Sequence, residues 1–387
     1  MSVWEDLVGQ ERIVETLAMA VAAAGGDVDS PQSAGMTHAW LFTGPPGSGR
    51  SNAARAFAAA LQCEHGGCGE CLACRTSLAG SHADVRNLVT DKAQLTLEPT
   101  KEAVRLAALA PANRRWQIVI VEDADRLNDS AANALLKSIE EPPPRTVWLL
   151  CAPAVEDVMA TIRSRCRTLV LRTPPVAAVA AYLVERNQVP GAVATFAARA
   201  SQGHIGRARA LALDEATRNR RREVLRIPTK LSDLGSCMMS AANLVDAATE
   251  EAKPRSEALE AKELDDLDLA FGAGTRGVKT TGLAAAQKQL QGNHRQRSKR
   301  FVKDCIDRSL LDLASFYRDV VLVQLGSDAK LVNEELRHDI DAMARATTGD
   351  LTARKLAAIF ETRLRLEGEI APLLAVESLM IALRGAP

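Results

Sequence analysis

Through roughly the first 170 residues, short apolar runs alternate with stretches in which apolar residues recur every three or four positions. His38–Thr43, Asp84–Val89, Trp116–Val121 and Thr146–Cys151 are the short runs, rich in apolar and β-branched residues. Strands that are apolar on both faces and separated by helical sequence predict a buried parallel sheet, so this region reads as α/β. A glycine-rich turn follows the first run, and Ala53–Leu61 then predicts a helix. Asn128–Glu141 predicts another, with Ala131, Ala134, Leu135 and Ile139 along one side. Asn128 or Asp129 can cap its exposed amides, and Pro142-Pro143-Pro144 stops it because proline lacks the donor.

After Thr173-Pro174-Pro175 the strand signals nearly vanish. Val176–Arg186 and Ala192–Ala210 are alanine-rich and helical, which sets a small helical domain at about 173–225 behind an α/β domain at 1–172. From 226 to 282 the chain turns polar and carries a glycine-rich stretch at Gly272–Gly282, read as a partly mobile connection. Beyond it, Ile306, Leu310, Leu313, Val320 and Val321 step at helical spacing and Leu351–Leu383 adds amphipathic sequence, predicting an all-α domain over 283–387.

Composition narrows the class. The chain of 387 residues is 47% hydrophobic and 25% charged, ordinary values that exclude disorder and small disulfide scaffolds. Its 48 Lys+Arg balance 48 Asp+Glu, which argues against holding nucleic acid by bulk attraction but leaves room for a local basic stripe. Arg218–Arg222 and His294–Arg300 are such basic runs; with no interleaved aromatics they read as solvated helix faces sooner than as DNA or acidic-partner contacts. No cationic start precedes an apolar stretch, and no apolar run nears the roughly 18 residues that span a bilayer, so no membrane role and a cytoplasmic location are expected.

Three motifs carry chemistry. Gly44-Pro45-Pro46-Gly47-Ser48-Gly49-Arg50-Ser51 lies between a strand and a helix, where glycines let backbone N–H groups close around phosphates at the helix's positive end. Gly44, Gly47, Gly49 and Ser51 fit the pattern, but Arg50 stands where a phosphate-reaching lysine is wanted, and the exchange is not conservative. Glu122-Asp123 ends the Trp116–Val121 run, where an acidic pair for magnesium and water would sit, in the reverse of the usual Asp-Glu order. Displacing a carboxylate by about 1 Å can lower a rate on the order of a hundredfold. Cys63, Cys68, Cys71 and Cys74 can close a tetrahedron of thiolates around zinc, a structural site with no open position. A disulfide pair is the alternative, disfavoured in a reducing compartment, and a zinc deaminase is disfavoured because Glu70 stands where that signature needs proline.

Six segments occur in order: Val8-Gly9-Gln10, the glycine loop, Glu122–Leu127, Asn133–Lys137, Glu140-Glu141-Pro142-Pro143 and Ser164-Arg165-Cys166. Together they resemble bacterial clamp-loader subunits of the AAA+ class, strongly over residues 1 to about 210 and in outline beyond. The resemblance implies an AAA+ P-loop parallel sheet with an inserted zinc module, a helical lid and a C-terminal all-α collar domain. It also implies partners: the ATPase and other subunits of a loader and, through them, a sliding clamp and primed DNA.

Within that resemblance, active members carry a polar γ-phosphate sensor where this chain has Ala152-Pro153, and a lid arginine three residues after a glycine. Here that place is Gly206, and Arg207 follows one residue later, about 100° further around a helix. With Arg50 and the inverted Glu122-Asp123, four departures imply a poor ATPase, while ATP binding stays open. The Ser164-Arg165-Cys166 segment implies that Arg165 reaches a neighbouring subunit's ATP in trans; the alternative is an arginine bridging a helix and a carboxylate. Relatives usually have a longer first cysteine gap, so His65 is the alternative to Cys63 as a zinc ligand.

Overall fold

A computed structural model of the chain describes residues 2–25, 35–90, 94–112, 115–270, 283–368 and 370–384. They form two compact units, Met1–Asp214 and Glu215–Pro387.

The first unit is built on five parallel strands: β1 (Ala39–Thr43), β2 (Val85–Leu88), β3 (Gln117–Val121), β4 (Thr146–Ala152) and β5 (Arg167–Val170), in the order β2-β3-β4-β1-β5. β1, β3 and β4 are buried along their whole length, as continuous apolar runs require. Successive side chains point to opposite faces. Trp40 and Phe42 therefore enter one core with α1 (Glu11–Ala24) and α2 (Arg50–Gln62), while Leu41, Trp148 and Leu150 enter the other. α3 (Leu72–Leu78) completes the cysteine-bearing insertion, and α4 (Leu97–Ala107) and α5 (Asp129–Glu140) cover the second face.

Six alanines of α2 are buried, which lets the helix lie close to the sheet, and Trp40 meets Phe57 edge-on with ring centroids 5.1 Å apart. Of the two possible caps on α5 the structure uses Asn128, whose side chain accepts the Ala131 N–H at 2.9 Å. β5 lay outside the predicted strands. It is a sheet-edge strand of four residues, two of them exposed, so it lacks the apolar run that marks its neighbours.

The short α6 (Ala160–Arg163) precedes β5, and α7 (Val176–Asn187), α8 (Gly191–Ala200) and α9 (Ile205–Leu213) follow it with a core of their own. The predicted helix over 192–210 is broken at Gly203, whose φ of +91° and close fit against Thr173 leave no room for a side chain.

The second unit contains α10 (Glu215–Leu225), α11 (Ile227–Lys230), α12 (Leu234–Ala270), α13 (Leu283–Gln324), α14 (Arg337–Ala346), α15 (Gly349–Glu367) and α16 (Pro372–Arg384). Ile306, Leu310, Leu313 and Val320 line its core as their spacing predicts. The stretch expected to be a polar connection at 226–282 is corrected: 37 of its residues form α12, and the glycine-rich part at 272–282 lies outside the described residues. Its polarity reflects a helix buried along a stripe (Cys237, Ala241, Leu244, Ala248, Ala252) rather than absence of structure.

The reading of both basic runs as solvated faces is also corrected in part. Arg221 is buried on α10, paired with Asp312 at 3.1 Å and Glu335 at 3.0 Å and bonded to Asn333. Asn333 in turn donates its backbone N–H to the buried Asp319 carboxylate at 2.7 Å and its side-chain amide to the same oxygen at 2.9 Å. His294, buried on α13, sits 2.7 Å from Glu263 of α12, and Arg297 reaches the same carboxylate at 2.6 Å. Charge complementarity thus joins an acidic stretch of α12 to a basic stretch of α13. Among the described residues no helix is long and apolar enough to cross a membrane.

Candidate functional site

The glycine loop sits beyond the C-terminal end of β1, between β4 and β5, where open α/β sheets place their ligand crevice. Gly44, Gly47 and Gly49 have φ of +151°, +86° and +91°, and Gly49 caps α2. The loop is wedged from several sides. Gly44 donates its amide to the Pro153 carbonyl at 3.1 Å, so the end of β4 anchors the loop through backbone rather than through a polar side chain. The buried Gln10 donates to the Arg172 carbonyl at 2.6 Å and to the Ser48 carbonyl at 3.4 Å, tying loop to strand end. A side chain on Gly47 would come within 2.7 Å of His204 Cβ, so His204, which caps α9, lies directly on the loop.

The charged groups of this site are engaged within the chain. Arg50, first residue of α2, donates Nη1 to the Gly44 carbonyl at 2.8 Å, bending back over its own loop. Glu122 is bonded to Arg55, one turn further along α2. Asp123 lies beside it, half-buried, and burial raises the Asp125 carboxyl above its ordinary range. Ser51 is half-buried on α2, and Arg207 is half-buried on α9, where its backbone N–H donates to His204 Nδ1 at 3.2 Å. Ala152 is buried. Arg55 was not singled out by the sequence, although a lone arginine within Ala53–Leu61, otherwise apolar throughout, was the available signal.

Arg165 follows α6 at the exposed edge of the unit, its side chain 41% exposed. Nη2 reaches Glu140 Oε1 at 2.8 Å, and Nη1 donates to the Thr161 carbonyl at 2.9 Å and Ser164 Oγ at 3.1 Å. The alternative reading, an arginine bridging a helix and a carboxylate, is therefore met in its geometry, since Glu140 ends α5. Next to it, burial pushes the Cys166 thiol up to about 12, which keeps it a neutral packing residue.

The sulfurs of Cys63, Cys68, Cys71 and Cys74 all lie within 4.8 Å of one another. Cys63 Sγ is 3.6 Å from Cys68 Sγ and 3.7 Å from Cys71 Sγ, far beyond a disulfide bond and near the ~3.8 Å tetrahedral edge that follows from a Zn–S bond of about 2.3 Å. Backbone N–H groups point at the sulfurs: His65 and Cys68 donate to Cys63 Sγ at 3.3 and 3.4 Å, Cys71 to Cys68, and Cys74 to Cys71. Burial raises the Cys63 thiol, but these backbone donors outweigh it and bring it down to about 6. At Cys74 burial prevails over such donors and the thiol is raised. The cluster takes in Cys63 and leaves out His65, which is exposed and contributes its backbone amide. Arg115 holds the turn at Cys63 by donating to the Leu61 and Cys63 carbonyls, both at 3.0 Å.

A parallel α/β sheet with a loop of phosphate-binding form and a four-cysteine insertion defines a class, and comparison with known proteins finds relatives for this part of the chain. The family described as "DNA polymerase III, delta subunit" matches residues 28–175. The DNA polymerase III subunit delta' of Escherichia coli (strain K12) is 36% identical over 184 residues, 45% of this chain and 54% of that protein. The DNA polymerase III subunit tau of Bacillus subtilis (strain 168) is 33% identical over 170 residues, 42% of this chain and 28% of that protein. The chain thus spans about a quarter to a half of the length of these relatives. A crystal structure of a DNA polymerase III gamma subunit-related protein from Thermotoga maritima covers 91% of this chain and 99% of its own at 14% identity, with a TM-score of 0.40. Over its α/β portion the chain is thus similar to DNA polymerase III subunits of both the delta' and the tau type.

Proposed function

We propose that this chain is a delta-prime-type subunit of a bacterial clamp loader. In this reading it is a non-hydrolysing wall that joins ATPase subunits of the gamma/tau type and a delta subunit, and lends Arg165 to a neighbour's ATP. The complex would open a sliding clamp and load it on primed DNA during replication in the cytoplasm. The observation that carries the reading is the self-satisfied loop: Arg50 is turned onto the Gly44 carbonyl and Glu122 is held by Arg55, leaving neither poised for phosphate or magnesium. Ala152, and Gly206 at the lid position, supply no polar side chain. Arg165, by contrast, is presented at an exposed edge, always charged and with a planar fork of donors suited to a γ-phosphate.

Arg165→Ala, reconstituted with ATP-hydrolysing loader subunits, clamp and primed DNA, is expected to lower ATP turnover by about a hundredfold or more, since trans arginines contribute on the order of 10³–10⁵. Circular dichroism of the variant should match the parent. Unchanged turnover by the complex would remove Arg165 from the role.

A second reading, an ATP-hydrolysing gamma/tau-type subunit, is favoured by the tau relative and by the intact glycines of the loop. Micromolar ATP affinity with measurable hydrolysis by the isolated chain would select it. Cys63, Cys68, Cys71 and Cys74 are proposed to hold a structural zinc ion, which would supply cross-linking of the insertion and no reaction chemistry.

A further inference from the structure

We propose that Glu140 is the positioning residue for Arg165; the proposal rests on the trans role of Arg165 given above. Glu140 is the last residue of α5, and the Pro142-Pro143-Pro144 run that ends the helix fixes where its backbone stops. A carboxylate at a helix C-terminus faces the negative end of the dipole, and Glu141 beside it adds a second negative charge. Neither the helix dipole nor capping accounts for an acid there.

What Glu140 does contact is the Arg165 guanidinium, at 2.8 Å through Nη2. On the other side, Nη1 is held by the Thr161 carbonyl and Ser164 Oγ. Ser164 Oγ itself donates to the Thr161 carbonyl at 3.1 Å, so the hydroxyl is oriented to accept from the arginine. The planar fork is gripped on both Nη atoms, and among the described residues Nε has no partner.

Both side chains of the pair are exposed, 41% and 46%, and an ion pair this exposed adds little to stability. Its effect is on conformation. A long arginine side chain free in solvent must lose its rotamer freedom when it docks, whereas one already held in place loses less. Glu140 thereby raises the share of molecules whose Arg165 is set to meet developing charge on a neighbour's γ-phosphate.

The test is steady-state ATP turnover by the reconstituted loader carrying Glu140→Gln, Glu140→Asp, Arg165→Ala or the Glu140→Gln/Arg165→Ala pair. Glu140→Gln keeps the size of the side chain and removes its charge. It is expected to lower kcat about five- to twentyfold, leave KM for ATP within about twofold, and leave the melting temperature of the chain unchanged, because an exposed pair does not hold the fold. Glu140→Asp should recover part of the loss. The double variant should turn over no more slowly than Arg165→Ala alone, because Glu140 acts through that side chain. Full turnover by Glu140→Gln alongside a deep loss in Arg165→Ala overturns the positioning role and spares the trans arginine. Full turnover by Arg165→Ala overturns both. Losses that multiply in the double variant assign Glu140 a separate site of action and overturn the proposal as well, as does faster turnover by Glu140→Gln.

Discussion

Arg221 shows how far a single residue can depart from the look of its neighbours. It sits within five residues of which four are arginine, yet it alone of the run is buried, at 5% exposure, with Asp312, Glu335 and Asn333 around it. Removing one partner of a buried pair leaves an uncompensated charge, at a cost of about 3–5 kcal/mol. Arg221→Ala is therefore expected to lower the unfolding free energy of the second unit, from urea titration, by about 3–5 kcal/mol, while Arg222→Ala at an exposed position of the same run changes it by no more than about 0.5 kcal/mol. Equal effects at the two positions, followed by far-UV circular dichroism, would deny Arg221 its place in the core. The sequence could not separate them, because the partners lie 91 to 114 residues away and become neighbours only when α10 packs on α13. The cysteines were legible for the opposite reason: all four fall within Cys63–Cys74, where spacing alone dictates what can meet. Arg55 and Glu122 belong with Arg221, since pairing across 67 residues depends on the sheet's order.

At the scale of elements, burial explains only part of what was legible, since β2, with two of its four residues exposed, was read as well. The strands buried along their whole length announced themselves, whereas β5, half exposed, did not, and α12 was hidden because a single apolar stripe serves a helix with polar residues elsewhere. The contact between the glycine loop and α9 was equally unreadable, for it is made by the absence of a side chain at Gly47 beneath His204. Gly47→Ala combines a left-handed backbone, costing on the order of 1–3 kcal/mol in a non-glycine residue, with a clash against His204 Cα and Cβ that no side-chain rotation relieves. The expected outcome is a melting temperature lower by several degrees, with faster hydrogen exchange at the start of α9. Unchanged exchange there would mean that the start of α9 does not rest on the loop in solution.

The whole molecule consists of two compact units with separate cores, one built on a sheet and one on long helices. Perturbations should therefore stay within the unit that receives them. If the cysteine cluster holds a metal, a chelator is expected to lower the melting of the first unit by about 5 °C or more, because metal binding is coupled to folding, and to leave the second unit's unfolding in place. Calorimetry checks this, together with thiol titration; four reactive thiols in native protein with no loss of stability would exclude a structural metal. Trp40 and Trp148, which anchor the two faces of the sheet, have a spectroscopic consequence. With Trp4 and Trp116 they make up all four tryptophans of the chain, and every one lies before Asp214. Excitation at the red edge of indole absorption consequently makes the first unit emit against a dark second unit, an intrinsic domain-resolved probe that requires no label.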